Sequence, residues 1–153
     1  MTTDTAQTYL RNRVLTARPE ELRLMLLDGA IRFARRGRDG LARKDFEAVF
    51  AGFSRCREIL FELISSMKPE HDPELCARLS GLYAFMISEL VDASHSKDAT
   101  KADKVIELLE YDRETWRLLV EKAASERQPE TPLPEPSTAA EAPSSYRPLS
   151  LQG

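Results

Sequence analysis

The side chains best suited to catalysis or metal binding are few in this chain and lie far apart. Its two histidines, His71 and His95, fall in segments that the sequence predicts to be loops. Neither has a serine, cysteine or carboxylate partner at a recognisable catalytic spacing, and no glycine-rich phosphate-binding loop occurs. A histidine phosphotransfer bundle would need an exposed histidine within a helix, which neither predicted position offers. The sequence therefore predicts a protein that is not an enzyme and has no catalytic residues, metal site or cofactor.

The two cysteines, Cys56 and Cys76, lie in segments with helical periodicity. Neither has a second thiol or a histidine at metal-ligand spacing. Reduced cysteine behaves as a small apolar residue and is often buried. We expect two buried free thiols, with a disulfide or metal-binding role as the alternative.

Four segments carry apolar residues every three or four positions, which predicts four amphipathic helices. The first is expected to begin at Pro19 and to stop before a left-handed exit at Gly40. Asp45 is the expected N-cap of the second helix, which "KPEHDP" ends, and Asp72 is the expected N-cap of the third. The loop "SHSKDAT" follows, and a capping box at Thr100 is expected to open the fourth helix.

Helices of roughly twenty residues with short connections favour antiparallel neighbours. The predicted fold is all-α, an antiparallel up-down four-helix bundle over residues 19–124 with a short N-terminal arm at residues 1–18. Six of the nine prolines follow Gln128, amid Ser, Thr, Ala and Glu. Because such a segment buries little apolar surface, we expect residues 125–153 to form a disordered tail.

The first predicted helix carries more apolar surface than one core face needs. The stripe expected to face the core contains Leu22, Leu26, Ala30 and Phe33. A second stripe lies beside it, and similar off-stripe residues occur on the later helices. This surplus favours grooves between helices that accept an amphipathic partner, with a wide core face and scattered surface residues as the alternative. The candidate groove residues are Leu24, Leu27, Ile31, Ile59, Leu63, Tyr83, Ile87 and Leu118.

The formal net charge of -3 gives no general attraction to nucleic acid or to an anionic membrane. The run "RFARRGR" on the first helix could be a solvated face, a docking patch for a partner or a nucleic-acid footprint. No secretory signal and no stretch as long as a membrane span is present, so we expect a cytoplasmic protein without membrane insertion.

Four segments, in chain order, resemble the FliS family of flagellin export chaperones. "YLRNRVLTARPEELRLMLLDGAIRF" from Tyr9 is similar to the N-terminal signature of the family, with its T-A-S-P-like turn and L-x-x-M-L-Y-D-G-A stretch. "KDFEAVFAGFSRCREILFEL", "LSGLYAFMISELVDA" and "KADKVIELLEYDRETW" are similar to the helices that follow. The resemblance covers about residues 9 to 122.

The resemblance implies a cytoplasmic chaperone that binds the C-terminal segment of flagellin, prevents premature polymerisation and delivers flagellin to the flagellar export apparatus. It also implies a flap before the first helix that covers part of the client groove, with Tyr9, Leu10 and Val14 as its apolar contacts; a simple ordered arm is the alternative. Export gate components and a weak homodimer are the further partners expected. Nucleic-acid binding and a self-associating bundle are the competing interpretations.

Four residues depart from the family pattern. Arg18 replaces a capping serine, Leu27 replaces a tyrosine, and Arg78 and Ser94 stand where asparagines are common. These changes affect individual polar contacts with a client and leave the predicted bundle intact.

Overall fold

The computed structural model describes residues 2–127, and the regular structure in that range is helical, without a strand. The prediction of an all-α protein is therefore confirmed. The first compact unit is Met1–Val120, and a second begins at Glu121. The predicted tail lies outside the described residues except for its first three positions, which are helical. The helices are α1 (Thr2–Thr16), α2 (Pro19–Arg43), α3 (Phe46–Ser65), α4 (Pro73–Ser96) and α5 (Ala99–Arg127).

The starts of α3 and α4 are capped by aspartates, as predicted. Asp45 accepts a hydrogen bond from the backbone N–H of Ala48 at 3.1 Å, and Asp72 accepts one from the backbone N–H of Leu75 at 3.1 Å. Each carboxylate satisfies a donor that the first turn of a helix leaves unpaired.

The start of α5 differs from the prediction of a capping box at Thr100. Asp98 accepts hydrogen bonds from the backbone N–H of Thr100 at 3.0 Å and from its hydroxyl at 2.6 Å. These bonds favour the ionised carboxylate and lower the pKa of Asp98. The aspartate before the helix, rather than the threonine within it, supplies the cap.

Helices α2 and α4 both extend beyond their predicted ends, and a lysine rather than a glycine follows each helix. Lys44 (φ 61°) follows α2 and Lys97 (φ 56°) follows α4, both in the left-handed conformation. Gly40 lies inside α2, buried against the start of α3. His95 lies in the last turn of α4, so its predicted loop position was wrong.

Close packing of α2 against α3 depends on glycine. A Cβ atom added at Gly52 would lie 2.5 Å from the backbone nitrogen of Gly37, so the two helices approach at backbone distance. Gly29 faces Ile59, whereas Gly37, later in α2, faces Phe53, which is earlier in α3. The contacts therefore run in opposite order along the two helices. The two helices are therefore antiparallel.

Ion pairs connect α5 to α2, again in opposite chain order. They join Asp28 to Arg113, Arg35 to Glu110 and Arg38 to Asp103. Because these side chains are partly exposed to solvent, each pair contributes at most about 1 kcal/mol. They specify how the two helices align more than they stabilise the fold.

The hydrophobic core draws on α2, α3, α4 and α5. The described side chains of α1 are all exposed, so that helix adds nothing to the core. The fully buried large side chains are Leu27, Leu60, Leu63, Tyr83, Met86, Leu90, Val105 and Leu109, with Cys56.

Candidate binding groove

The eight groove residues predicted from the sequence occupy three different environments. Leu27, Leu63 and Tyr83 have no exposed surface and Ile31 has 5%, so these four belong to the core. The half-buried Ile59 and Ile87 pack against that core. Leu24 is half-buried and Leu118 is 53% exposed.

An open groove of about 620 Å³ lies where α2 begins and α3 ends. Its walls come from the first turns of α2 and α4, the end of α3 with the loop that follows, and one side chain of α5. Most of the lining surface is apolar, and its charged residues lie among apolar ones. The apolar lining residues include Leu22, Leu26, Met67, Leu75, Leu79 and Trp116.

The structure divides each of the two apolar stripes predicted on the first helix, since Ala30 of the expected core stripe is buried as predicted while other members of that stripe are not. Leu22 and Leu26, expected in the core, line the groove and stay half-buried. Leu27 and Ile31, expected in a groove, are buried. Both stripes show the same period, so periodicity detects them without telling which one faces the neighbouring helices.

A polar network underlies the groove and was missed from the sequence. The Tyr83 hydroxyl donates to Asp112 Oδ2 at 2.5 Å and accepts a hydrogen bond from Arg23 Nη2 at 3.0 Å. The Arg23 guanidinium also lies 4.9 Å from the centre of the Trp116 ring, a cation–π distance. The signal available in the sequence was an aspartate on the apolar side of a predicted helix.

Burial governs the ionisation of this network. Desolvation raises the pKa of Asp112, although the Tyr83 hydroxyl and the Arg23 charge oppose the shift. The pKa of Tyr83 is also raised, mainly by desolvation and secondly by its hydrogen bond to Asp112. Tyr83 therefore stays protonated and acts as a fixed donor to Asp112.

The two cysteines are free thiols in different surroundings. Cys56 is fully buried, and desolvation raises its pKa to about 12. Cys76 is half-buried and lines the groove. A groove-lining thiol beside an inert buried one offers a chemical probe of whether the groove is occupied.

The arginine run of α2 is engaged mainly within the protein. Arg35 and Arg38 pair with carboxylates of α5, and the Arg32 guanidinium lies 5.5 Å from the centre of the Phe33 ring. Carboxylates of α5 therefore lie beside two of the four arginines in this run. The pattern supports a solvated, internally paired helix face over a phosphate-binding one.

The N-terminal helix α1 carries several large apolar side chains that are exposed. Tyr9 is 64% exposed, Leu10 51% and Val14 42%. Only Ala17 and Arg18 separate the end of α1 from Pro19, which lines the groove. The proposed flap is thus joined directly to the rim of the groove.

An apolar groove with a few fixed polar groups has the character of a surface that accepts an amphipathic polypeptide segment. In residues 2–127 no group of three or more His, Cys, Asp or Glu side chains is arranged to hold a metal ion. None of the described helices is long and apolar enough to cross a membrane. The fold and the groove define a helical protein with an open apolar groove.

Comparison with known proteins gives the family. The family model described as "Flagellar protein FliS" matches residues 1–123. The flagellar secretion chaperone FliS of Salmonella typhimurium is 32% identical over 120 residues, which cover 78% of this chain and 89% of that protein. The FliS chaperone of Bacillus subtilis is 27% identical over 119 residues, covering 78% of this chain and 88% of that protein. The chain belongs to the FliS family of flagellar secretion chaperones.

Proposed function

We propose that this protein is a cytoplasmic, non-enzymatic chaperone that binds the C-terminal segment of flagellin in the groove between α2, α3 and α4. Binding there would keep flagellin from polymerising before export and would present it to the flagellar export apparatus. The observation that carries the proposal is the groove itself, an open and mostly apolar channel at one end of a FliS-family protein. Flagellin, the export apparatus and a weak homodimer remain proposed partners.

We also propose that α2 to α5 form the up-down antiparallel bundle expected from the sequence. The antiparallel contacts of α2 with α3 and of α2 with α5 support this arrangement. So do the two α4–α5 contacts, Tyr83 to Asp112 and Asp92 to Lys101, whose chain order is also opposed.

The direct test is titration calorimetry of the full chain with a peptide of roughly the last forty residues of flagellin from the same organism. We expect one-to-one binding with a negative heat-capacity change and a gain of far-UV helicity, as for a disordered segment that folds onto apolar surface. Absence of binding at micromolar concentrations, with α1 present or deleted, would refute the proposal.

Matched variants of α4 locate the binding site. Leu75 lines the groove and is 49% exposed, whereas Val91 is 39% exposed on the same helix and does not line it. Leu75→Glu is expected to weaken peptide binding strongly, and Val91→Glu to leave it unchanged. Equal effects of the two would place the client elsewhere.

The native thiol of Cys76 can be used to measure whether the groove is occupied. Alkylation of Cys76 is expected to slow when the flagellin peptide is bound, while the buried Cys56 stays unreactive in both states. Cys76→Ser identifies the labelled position. Unchanged alkylation in a saturated complex would contradict occupancy of the groove.

Two measurements separate the competing interpretations. Nucleic-acid binding should weaken steeply with added salt, whereas binding in an apolar groove should change little. Self-association through the groove should appear as a mass that rises with protein concentration and falls when the peptide is added.

A further inference from the structure

Arg23 occupies an unusual position in the groove. It lines the apolar wall, yet its Nη2 reaches below that wall to the buried Tyr83 hydroxyl. Asp112, at 7% exposure, is the buried charged residue of the described part and accepts the hydrogen bond from Tyr83. A chain of hydrogen bonds thus runs from the groove wall to a buried carboxylate.

The hydrogen-bonding capacity of Arg23 is not used up by these contacts. A guanidinium has five N–H groups, and Tyr83 accepts from one of them. Arg23 Nε is buried and has no acceptor among the described residues. An unpaired donor of this kind opposes folding, so the side chain is not placed there for the best stability of the empty protein.

Stability alone does not explain the whole network either. Replacing buried ionic groups by apolar residues of similar size is often neutral or stabilising. Trp116 and Tyr83 instead hold the guanidinium in one place, within reach of any segment that enters the groove. A fixed donor in an otherwise apolar site is the usual way that such a site selects orientation and register.

We propose that Arg23 is a specificity-determining residue of the groove, which donates hydrogen bonds to a carbonyl or carboxylate oxygen on the docked flagellin segment. Tyr83 and Asp112 are its positioning residues. The inference rests on the proposed function and adds the chemistry by which the groove recognises one register of an otherwise apolar client. The guanidinium is the complement of an oxygen acceptor, and the surrounding leucines and Trp116 take the apolar side chains.

The test compares Arg23→Met with Arg36→Met in the full-length protein, using the same flagellin peptide and calorimetry. Arg36 lies on α2, is exposed and does not line the groove, so its substitution removes the same charge elsewhere. Arg23→Met is expected to bind about tenfold or more weakly. Arg36→Met is expected to bind as the wild type does.

The outcomes separate this inference from the proposed function. If the wild type fails to bind, both are overturned. If the wild type binds and Arg23→Met binds equally well, only the inference fails. Should Arg23→Met lose cooperative unfolding, the double variant Arg23→Met/Asp112→Asn replaces it and is compared with Asp112→Asn alone, because the asparagine removes the carboxylate charge that would lose its partner. Equal affinity of these two variants for the peptide would overturn the inference.

Peptide variants identify the acceptor. Each acidic residue of the peptide is changed in turn to its amide and titrated against the wild type and Arg23→Met. One change that weakens binding to the wild type but not to Arg23→Met would identify a carboxylate. If no change behaves in this way while Arg23→Met still binds weakly, the acceptor is a backbone carbonyl.

Discussion

At the scale of single residues, burial decides what each side chain can do. Asp112 and Leu118 lie on the same helix, yet Asp112 is 7% exposed and Leu118 is 53% exposed. The polar residue is the buried one because the Tyr83 hydroxyl donates a hydrogen bond to it, and Arg23 in turn donates to that hydroxyl. The interactions with Tyr83 and Arg23 offset only part of the desolvation of Asp112, so its pKa is raised. This shift links the stability of the protein to pH.

We predict that Asp112→Asn changes how stability depends on pH. Because the folded state raises the pKa of Asp112, it holds the proton more tightly than the unfolded state does. The free energy of unfolding of the wild type therefore falls as pH rises through the window between the unfolded and the folded pKa. Asparagine does not titrate. The stability of the variant relative to the wild type should therefore increase with pH above about pH 4, and stop increasing once Asp112 is ionised in the folded wild type.

Urea unfolding at closely spaced pH values checks this prediction. Asp39→Asn, at an exposed position of α2, controls for the loss of one negative charge. A difference between Asp112→Asn and the wild type that stays constant or shrinks as pH rises would show that the buried carboxylate is not destabilised.

The second prediction separates two of the residues proposed from the sequence. Ile31→Asp places a charge in the core, so we expect the free energy of unfolding to fall by about 3 kcal/mol or more. Leu118→Asp places it on the surface and should cost no more than about 1 kcal/mol. Chemical unfolding followed by circular dichroism measures both. An Ile31→Asp protein with wild-type stability would mean that Ile31 faces solvent.

At the scale of the elements, glycine sets the distance between helices. Gly37, Gly40 and Gly52 are buried where α2 meets α3, and an added Cβ at any of them would collide with the facing helix or its first turn. Gly81 on α4 has nothing within 4 Å of an added Cβ. The same residue type is therefore structural in one helix pair and replaceable in another helix.

We predict opposite effects of alanine at these two kinds of glycine. Gly52→Ala should destabilise the protein by about 1–3 kcal/mol or more, because the colliding atoms are backbone atoms of α2 that no side-chain rotation can move. Gly81→Ala should stabilise it by about 0.5–1 kcal/mol, because alanine loses less conformational entropy in a helix. Thermal and urea unfolding of the two variants measure the contrast. Similar effects would mean that α2 and α3 separate easily.

At the scale of the whole molecule, the groove and the N-terminal helix are neighbours in the chain, but only the helices that form the groove are packed into the hydrophobic core. The groove is built on α2, α3, α4 and α5, all of which contribute to the core. The described side chains of α1 are exposed, and two residues connect it to the groove rim. A helix attached in this way can be removed without disturbing the core.

We predict that deleting residues 1–16 changes the free energy of unfolding by less than about 1 kcal/mol, since no described side chain of α1 is buried. If Tyr9, Leu10 and Val14 form the proposed flap, the shortened protein should also bind the flagellin peptide more tightly. Urea unfolding and calorimetry measure the two effects. A large loss of stability would place α1 in the fold, and unchanged affinity would leave it a simple arm.

The sequence by itself determined the helical class, the family resemblance and the helix starts at Asp45 and Asp72. These depend on local signals, since periodicity and capping chemistry are set by residues a few positions apart. The ends at Lys44 and Lys97 were missed because lysine rarely takes the left-handed conformation in which it is found here.

Only the tertiary structure decided which apolar stripe faces the core and which polar group is buried. The same spacing fits Leu26 as well as Leu27, and the choice between them depends on where α3, α4 and α5 pack. Likewise, Arg23, Tyr83 and Asp112 lie on three helices far apart in the chain, so no local pattern could bring them together. Burial is a property of the packed assembly of helices, and the groove exists because that packing leaves one end of the apolar surface uncovered.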